Sequence, residues 1–435
     1  MEYKINSCIS ISIKENEMTI NNLIKSLHEF SRFVLAKEFL SLVVETMDRN
    51  ICTQLRTKEP GRYENRGYQD RQLKTSMGIA KLRFTKLRNT QTGATSCPGK
   101  KVLDCPAYVQ WTSPLLVDAV SMLPFMSYKH SVEETMEQHG FGPSKTTIHN
   151  RLEDLVGTGE YRPYLRKRRF KYLMIDGTGA KFQDRSNNSF DSGEVRFAYA
   201  STGEGNPFEL IGIWVNKDWN SCAEDLYSRM STDRLEVLIC DGEEAITAAF
   251  LLPTMRHQRC QWHAMRDLKY VLYADNVKKD KQKPFLSAMG NLVQDGWTQE
   301  DFEELTTQSI PALKDIRKQI VSGLDDLSEK AVEHGYQKAS VYLRNLALPF
   351  VTCLDHYIDT GKIIPITSNI IERQIGLFKN RYSRIGRRWS EGGLMRWFAV
   401  AIRKLLPQFD WKKEWESLLG KKDTVKITLE MCSIN

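Results

Sequence analysis

No run of apolar residues in this chain approaches the ~18 needed to cross a bilayer. The first residues also lack the basic, apolar and small-residue succession of a secretory signal. A cytoplasmic protein is therefore expected. The nine cysteines are scattered and odd in number, which argues for reduced thiols and against a disulfide framework. Cys97 and Cys105 have no CxxC partners of the kind a structural zinc site uses. What remains is a 435-residue chain, 41% hydrophobic and 27% charged, with the balance of a globular protein and room for two or three domains.

The net charge of +8 is modest, but the charges are separated along the chain. Residues 54–101 carry twelve Lys and Arg against three acids, and 372–404 carry nine against two. Arg162–Lys171 is a third basic knot, whereas 295–335 holds ten acids against four bases. An ordinary solvated surface interleaves its signs. Separated basic blocks point to a polyanion, with nucleic acid the first candidate.

Two stretches carry the chemistry. Tyr172-Leu-Met-Ile175 is a short apolar strand ending on Asp176-Gly, and Leu235-Glu-Val-Leu-Ile-Cys repeats the device with Asp241-Gly. Two strands that each deliver a carboxylate to their C-terminal end place both at the edge where open α/β sheets put their sites. An Asp-Gly after a strand is also an ordinary turn, so the weight lies on the pair. Glu372, in Thr367-Ser-Asn-Ile-Ile-Glu-Arg, offers a third acid on a helix with Ile371, Ile375, Phe378 and Tyr382 on its buried side. Gly376 and Lys379 share the face of Glu372, a notch that a phosphate backbone can approach, with Arg373, Arg381, Arg384, Arg387 and Arg388 around it. Glu391 and Glu333 are rival third acids without that setting. Carboxylates gathered on one edge need a cation, and a pair of Mg²⁺ or Mn²⁺ ions would clamp the oxygens of an in-line phosphoryl transfer.

The rest of the chain arranges itself around these strands. An amphipathic helix is expected from Phe33 to Leu55, then a basic β-hairpin turning at Gly78. Residues 113–160 read as helical. Ser131–His139, the turn Gly140-Phe-Gly-Pro143 and a helix capped by Ser144 have the pattern of a helix-turn-helix. Ile148, Leu152 and Leu155 form its buried stripe, leaving Lys145, Thr146, His149 and Asn150 to reach DNA; any αα-hairpin shows the same stripe. Glu194–Ser201 and Phe208–Val215 continue the Asp176 strand as a meander. A helix over Ala223–Met230, the Asp241 strand, a helix through Phe250 and a strand over His257–His263 follow. This is the order of an RNase H-like fold. The expected division is a basic region over 1–112, a helix-turn-helix-like region over 113–165 and the first part of an RNase H-like core over 170–263. A helical insertion over 264–360, the core's return with the Glu-bearing helix over 361–405 and a tail over 406–435 complete it. The fold class is α/β, a mixed sheet with a helical insertion, preceded by an α/β DNA-binding region.

Ile-Asp176-Gly, Cys-Asp241-Gly, Gln-Arg-Cys260-Gln-Trp-His263 and Thr-Ser-Asn-Ile-Ile-Glu372-Arg together resemble the DDE transposases of bacterial and archaeal insertion sequences related to Mutator elements. In that group a Cys-x-x-His element follows the second Asp, then a long helical insertion, then the Glu on a helix. The likeness covers about 170–405 well, and 56–160 is similar in layout to the family's terminal-repeat-binding region. It implies that Asp176, Asp241 and Glu372 bind the metal ions and catalyse strand cleavage and strand transfer. The implied partners are the terminal inverted repeats and the target DNA, double-stranded, with the protein a homodimer or higher oligomer on them in the nucleoid. Gly376-Leu-Phe departs from the Asn-rich run many relatives have after the Glu. Cys260 and His263 are either half of a zinc site, or a buried Cys beside a His that lies near the DNA or orients a site residue.

A structure-selective RNase H-like nuclease would share the acids and need no site-specific helix pair. A domesticated, non-catalytic DNA-binding protein would need no acids at all. Whichever holds, the basic blocks imply many phosphate contacts. With ~6 phosphates neutralised, DNA affinity should fall roughly a thousandfold between about 50 and 200 mM salt. A titration by fluorescence anisotropy checks this, and a flat response would remove nucleic acid from the reading.

Overall fold

The computed structural model describes residues 38–103, 105, 110–183, 190–203, 205–292, 298–382, 389–411 and 413–414, with positions 20 and 24 besides. The chain divides into two compact units, 1–156 with 409–435, and 157–408.

In the first unit, helix α1 (Leu40–Lys58) precedes a long antiparallel hairpin of β1 (Tyr63–Thr75) and β2 (Gly78–Asn89), with a short β3 (Thr95–Ser96) and α2 (Pro98–Val102) after it. Positions 33–37 of the expected first helix lie outside the described residues. Ala80, Leu82 and Phe84 alternate onto the buried face of β2 and pack with Cys105, Cys97, Leu40 and Val44. The same alternation turns Lys81 and Arg83 outward. Asp48 of α1 is buried and accepts hydrogen bonds from both N and Oγ1 of Thr85, at 2.8 and 2.7 Å, tying the helix to the ribbon.

Three further helices of this unit are α3 (Ser113–Ser121), α4 (Tyr128–His139) and α5 (Lys145–Val156). Gly140 closes α4 in a left-handed conformation, and Ser144 Oγ accepts from Thr147 N to cap α5. Ile148 and Leu152 are fully buried; the side chain of Leu155 lies outside the described residues.

In the second unit a five-stranded mixed sheet has the order β6-β5-β4-β7-β8. β4 (Tyr172–Gln183), β5 (Phe190–Ser201) and β6 (Glu209–Val215) form the antiparallel meander. Helix α6 (Trp219–Arg229), capped by Asp218, starts four residues before the expected Ala223 and carries the chain to β7 (Val237–Cys240), parallel to β4. Helix α7 (Glu244–Phe250) leads to β8 (Arg256–Arg259), parallel to β7. All four residues of β7 are buried, as a strand covered on both faces requires. Leu173, Ile175, Leu238 and Cys240 pack against Trp219, Leu226, Ile246 and Phe250 of α6 and α7.

The strand expected over His257–His263 stops at Arg259. Cys260 is the N-cap of α8 (Gln261–Ala274), so His263 lies in the first turn of a helix. Gln261, His263 and Ala264 are all buried, a clustering that a period of two does not permit. Helices α9 (Lys279–Leu292), α10 (Gln299–Leu305), α11 (Ile310–Glu333), α12 (Gln337–Phe350) and α13 (Thr352–Thr360) follow before α14 (Asn369–Tyr382) and α15 (Glu391–Leu405). Phe378 of α14 stacks on Phe197 of β5 with ring centroids 6.0 Å apart, and Phe398 of α15 meets both rings edge-on. Among the described residues no helix is long and apolar enough to cross a membrane.

Candidate active site

The register of the parallel strands determines where the acids fall. Met174 of β4 is paired with Ile239 of β7, so Asp176 and Asp241, each two residues on, occupy equivalent positions on adjacent strands. The period-two alternation puts both on the face opposite Leu173, Ile175, Leu238 and Cys240, away from α6 and α7. Ile239 is in turn paired with Gln258 of β8, which brings Cys260 level with Asp241, and Cys260 N donates to Cys240 O at 2.9 Å.

Asp176 is 6% exposed and accepts from its neighbour's backbone, Gly177 N to Oδ1 at 2.7 Å. Burial, and then the charges of Asp241 and Glu372, push its carboxyl up to about 7 despite that hydrogen bond and the nearby His263. Asp241 is half-buried and takes Glu243 N on Oδ1 at 3.0 Å, which fixes the turn that carries it.

Glu372 arrives from the far side of the helical stretch. Gln261 N donates to Ile366 O at 3.1 Å, and Ser368 N donates to Cys260 Sγ at 3.3 Å. These two bonds pin the start of α14 beside the start of α8. Glu372 then falls in the first turn of α14, with its Oε1 3.1 Å from His263 Nε2. His263 holds the Glu372 carboxyl below its ordinary range, with Arg266 adding to the effect. Burial works against the charged imidazole, but Cys260 and Glu372 outweigh it and raise the pKa of His263; Cys260 is correspondingly lowered by His263 in spite of its burial. The three side chains are thus electrostatically coupled.

Asp176, Asp241 and Glu372 thus come together, with His263 and Cys260 beside them. The rival acids do not join them. Glu391 accepts Asn216 Nδ2 at 2.6 Å at the start of α15, and Glu333 is exposed at the end of α11. Arg373 and Lys379 are exposed on α14, and Gly376 opens onto free space. Arg387 and Arg388 lie outside the described residues, as do the side chains of Arg381 and Arg384. In the other unit Lys145, Thr146, His149 and Asn150 are all exposed along α5. Among the described residues no three His, Cys, Asp or Glu side chains converge into a ready-made cage for an ion, Cys97, Cys105, Cys260 and His263 included.

Arg259 is a residue the sequence did not mark. It is 7% exposed, donates to Asp267 Oδ2 at 2.7 Å and lays its guanidinium against Gly242, the residue after Asp241. Nothing local distinguishes it from exposed Arg256, which pairs with Asp359 on the surface. Gly242 has φ +79°, and a Cβ there would fall on the Arg259 guanidinium. Gly242→Ala should therefore cost about 2–3 kcal/mol by combining left-handed strain with displacement of a buried cation. Chemical denaturation monitored by tryptophan fluorescence measures this, and a loss below about 0.5 kcal/mol would mean that the loop holding Asp241 is not constrained as described.

No curated protein matches the chain. The solved structures similar to it include the Drosophila P element transposase strand transfer complex, at 10% identity and a TM-score of 0.38, covering 71% of this chain and 95% of that one. Residues 10–334, three quarters of the sequence, match the description "Transposase, Mutator family", and the chain belongs to that family of transposases.

Proposed function

We propose that Asp176, Asp241 and Glu372 carry out the DNA cleavage and strand transfer of this transposase. The observation that supports it most is the shared register of Asp176 and Asp241 on adjacent parallel strands, with Glu372 within electrostatic reach of Asp176. The sheet order β6-β5-β4-β7-β8, antiparallel for three strands and parallel for two, favours an RNase H-like core.

The donor set fits divalent magnesium or manganese. It offers carboxylate oxygens only, and the proton that burial and like charge hold on Asp176 near neutral pH is one a cation would displace. Asp176, Asp241 and Glu372 would hold such ions, most simply two, which supply Lewis-acid activation of the attacking and leaving oxygens. The chain's own contribution is positional. β4 and the end of β7 present two carboxylates at one level, and His263 pairs with Glu372 and favours its ionised form. Arg373 and Lys379 offer charge to the phosphate backbone, and Gly376 leaves room for its approach. Water, and then the freed 3′-hydroxyl, are the nucleophiles, and no residue forms a covalent intermediate with DNA.

Recognition we assign to α4 and α5 as a helix-turn-helix. Ile148 and Leu152 face inward, so Lys145, Thr146, His149 and Asn150 are free to meet base edges.

Duplexes carrying the DNA that flanks the gene test both halves. Asp176→Ala, Asp241→Ala and Glu372→Ala should each abolish magnesium-dependent strand cleavage while changing duplex affinity less than about threefold. Full activity in Glu372→Ala would overturn its assignment as the third acid. His149→Ala with Asn150→Ala should lose at least tenfold in preference for the flanking DNA over scrambled duplex, from about 1–3 kcal/mol per base contact. Unchanged preference would make the helix pair a packing hairpin and move recognition to the β1–β2 ribbon.

A further inference from the structure

The two Asp-Gly turns are joined from behind. Trp219 opens α6 on the face of the sheet that carries Leu173 and Ile175, opposite Asp176, and is 5% exposed. On one side it meets Gly177: a Cβ there would stand 3.3 Å from Trp219 Cζ2 and 3.4 Å from Cη2, so the six-membered ring of the indole lies against bare backbone. On the other side Trp219 Nε1 donates to Glu243 Oε1 at 3.0 Å. Both contacts lead directly to the acids. Gly177 N is the donor to Asp176 Oδ1, and Glu243 N is the donor to Asp241 Oδ1. The indole therefore rests on the two residues whose amides orient the two carboxylates.

The ring is itself held in place. The Arg196 guanidinium lies 4.3 Å from its centre, and Phe250 meets it edge-on with centroids 6.1 Å apart. Arg196 is the β5 partner of Gly177 and also donates to Lys217 O at the entry to α6, so the clamp is anchored in the same strands that it spans. A tryptophan that only filled the core would need some partner for its N–H, and a backbone carbonyl would serve. Here the partner is a carboxylate that is exposed and well solvated without the indole. Such a bond adds little to the stability of the fold, and its effect falls on where the Asp241 turn sits.

We propose that Trp219 is a positioning residue for the metal-binding edge. It fixes the turn after Asp176 against the turn after Asp241, and so sets the separation at which the two carboxylates share cations. The proposal rests on the assignment of Asp176 and Asp241 to the active site. Trp219 acts through Gly177 and Glu243 and not on the substrate.

Manganese binding to the DNA-free protein, read from the electron paramagnetic resonance signal of free Mn²⁺, tests it beside the magnesium dependence of cleavage. Trp219→Phe removes the N–H, and Glu243→Ala removes its acceptor. Each should weaken Mn²⁺ binding roughly threefold or more and raise the half-saturating Mg²⁺ concentration by a similar factor, with the rate at saturating Mg²⁺ within about twofold of the parent. Glu243→Gln, whose amide oxygen still accepts from the indole, should stay within about twofold of the parent throughout. The double variant should bind Mn²⁺ no more weakly than either single one, because both remove the same bond. Gly177→Ala should weaken Mn²⁺ binding in the parent, where its methyl presses on the indole, and have no further effect in Trp219→Phe. Parental affinity in Trp219→Phe or in Glu243→Ala, or additive losses in the double variant, would overturn the tie. Equal losses in Glu243→Gln and Glu243→Ala would also overturn it, by making Glu243 a ligand in its own right. The urea midpoint of Glu243→Ala should match the parent's, and Mn²⁺ losses confined to variants with a lowered midpoint would leave Trp219 a core residue only. Asp241→Ala is the separating control and should weaken Mn²⁺ binding roughly tenfold or more. If it binds as the parent does, the carboxylate reading falls; loss there with parental affinity in Trp219→Phe strikes the tie alone.

Discussion

The constraint on which the site depends is the parallel pairing of β4 with β7. Side chains alternate across a strand, so a slip of one residue in that register would turn Asp241 to the other side of the sheet, toward the buried rings of α6 and α7. Val237, Leu238, Ile239 and Cys240 are all buried, so the strand's apolar residues do not discriminate between registers, and the cost of a slip falls on the carboxylate it would bury. The same packing that makes β7 a good core strand fixes a carboxylate at its end, within range of another carboxylate that is itself buried. Fold stability and electrostatic strain are therefore coupled at one edge, and Asp176 near neutrality is the visible sign of the strain.

The third acid is supplied by a different solution to the same problem. Glu372 follows Cys260 by more than a hundred residues, most of them helical, yet the ends of that stretch meet through two hydrogen bonds, Gln261 N to Ile366 O and Ser368 N to the Cys260 sulfur. Closing a long excursion is not the obstacle it seems, since each doubling of length adds only about 0.6 kcal/mol in chain entropy. What the closure needs is a precise seat at the end. The stack of Phe378 on Phe197 and the contact of Ile371 and Ile375 with the interior provide it on the α14 side. The His263–Glu372 pair then sets the carboxylate itself. Cys260 serves both, as hydrogen-bond acceptor for Ser368 and as electrostatic partner for His263.

Much of this was legible because the physics was local. An apolar run ending in Asp-Gly identifies a strand and its terminal carboxylate without tertiary information, and the Ile371–Ile375–Phe378 stripe identifies the buried side of α14. Ser144 and the Gly140 turn likewise mark the ends of the helices they cap. The boundary at Cys260 was misjudged because Gln261 and His263 are polar residues buried by tertiary partners, and alternation of polar with apolar residues around them imitates a strand. Arg259 was invisible for the same reason. Its neighbours in sequence match those of a surface arginine, and only the approach of Gly242 and Asp267 makes it a buried cation. The tie between Asp48 and Thr85 joins residues 37 positions apart, and no periodicity announces it.

Charge decides which surfaces of the second unit can face a polyanion. Asp325, Asp326 and Glu329 are exposed on α11, within the stretch that carries the chain's strongest acidic excess. Screening confines their repulsion to about 8 Å at physiological ionic strength, so they exclude DNA from their own surface without weakening its attraction elsewhere. Arg373 and Lys379 on α14, and Arg266 and Lys269 on α8, are exposed on the two helices whose first turns carry Glu372 and His263. Exposed positive charge thus stands on both helices that carry Glu372 and His263, while α11, with Asp325, Asp326 and Glu329, contributes no residue to the site.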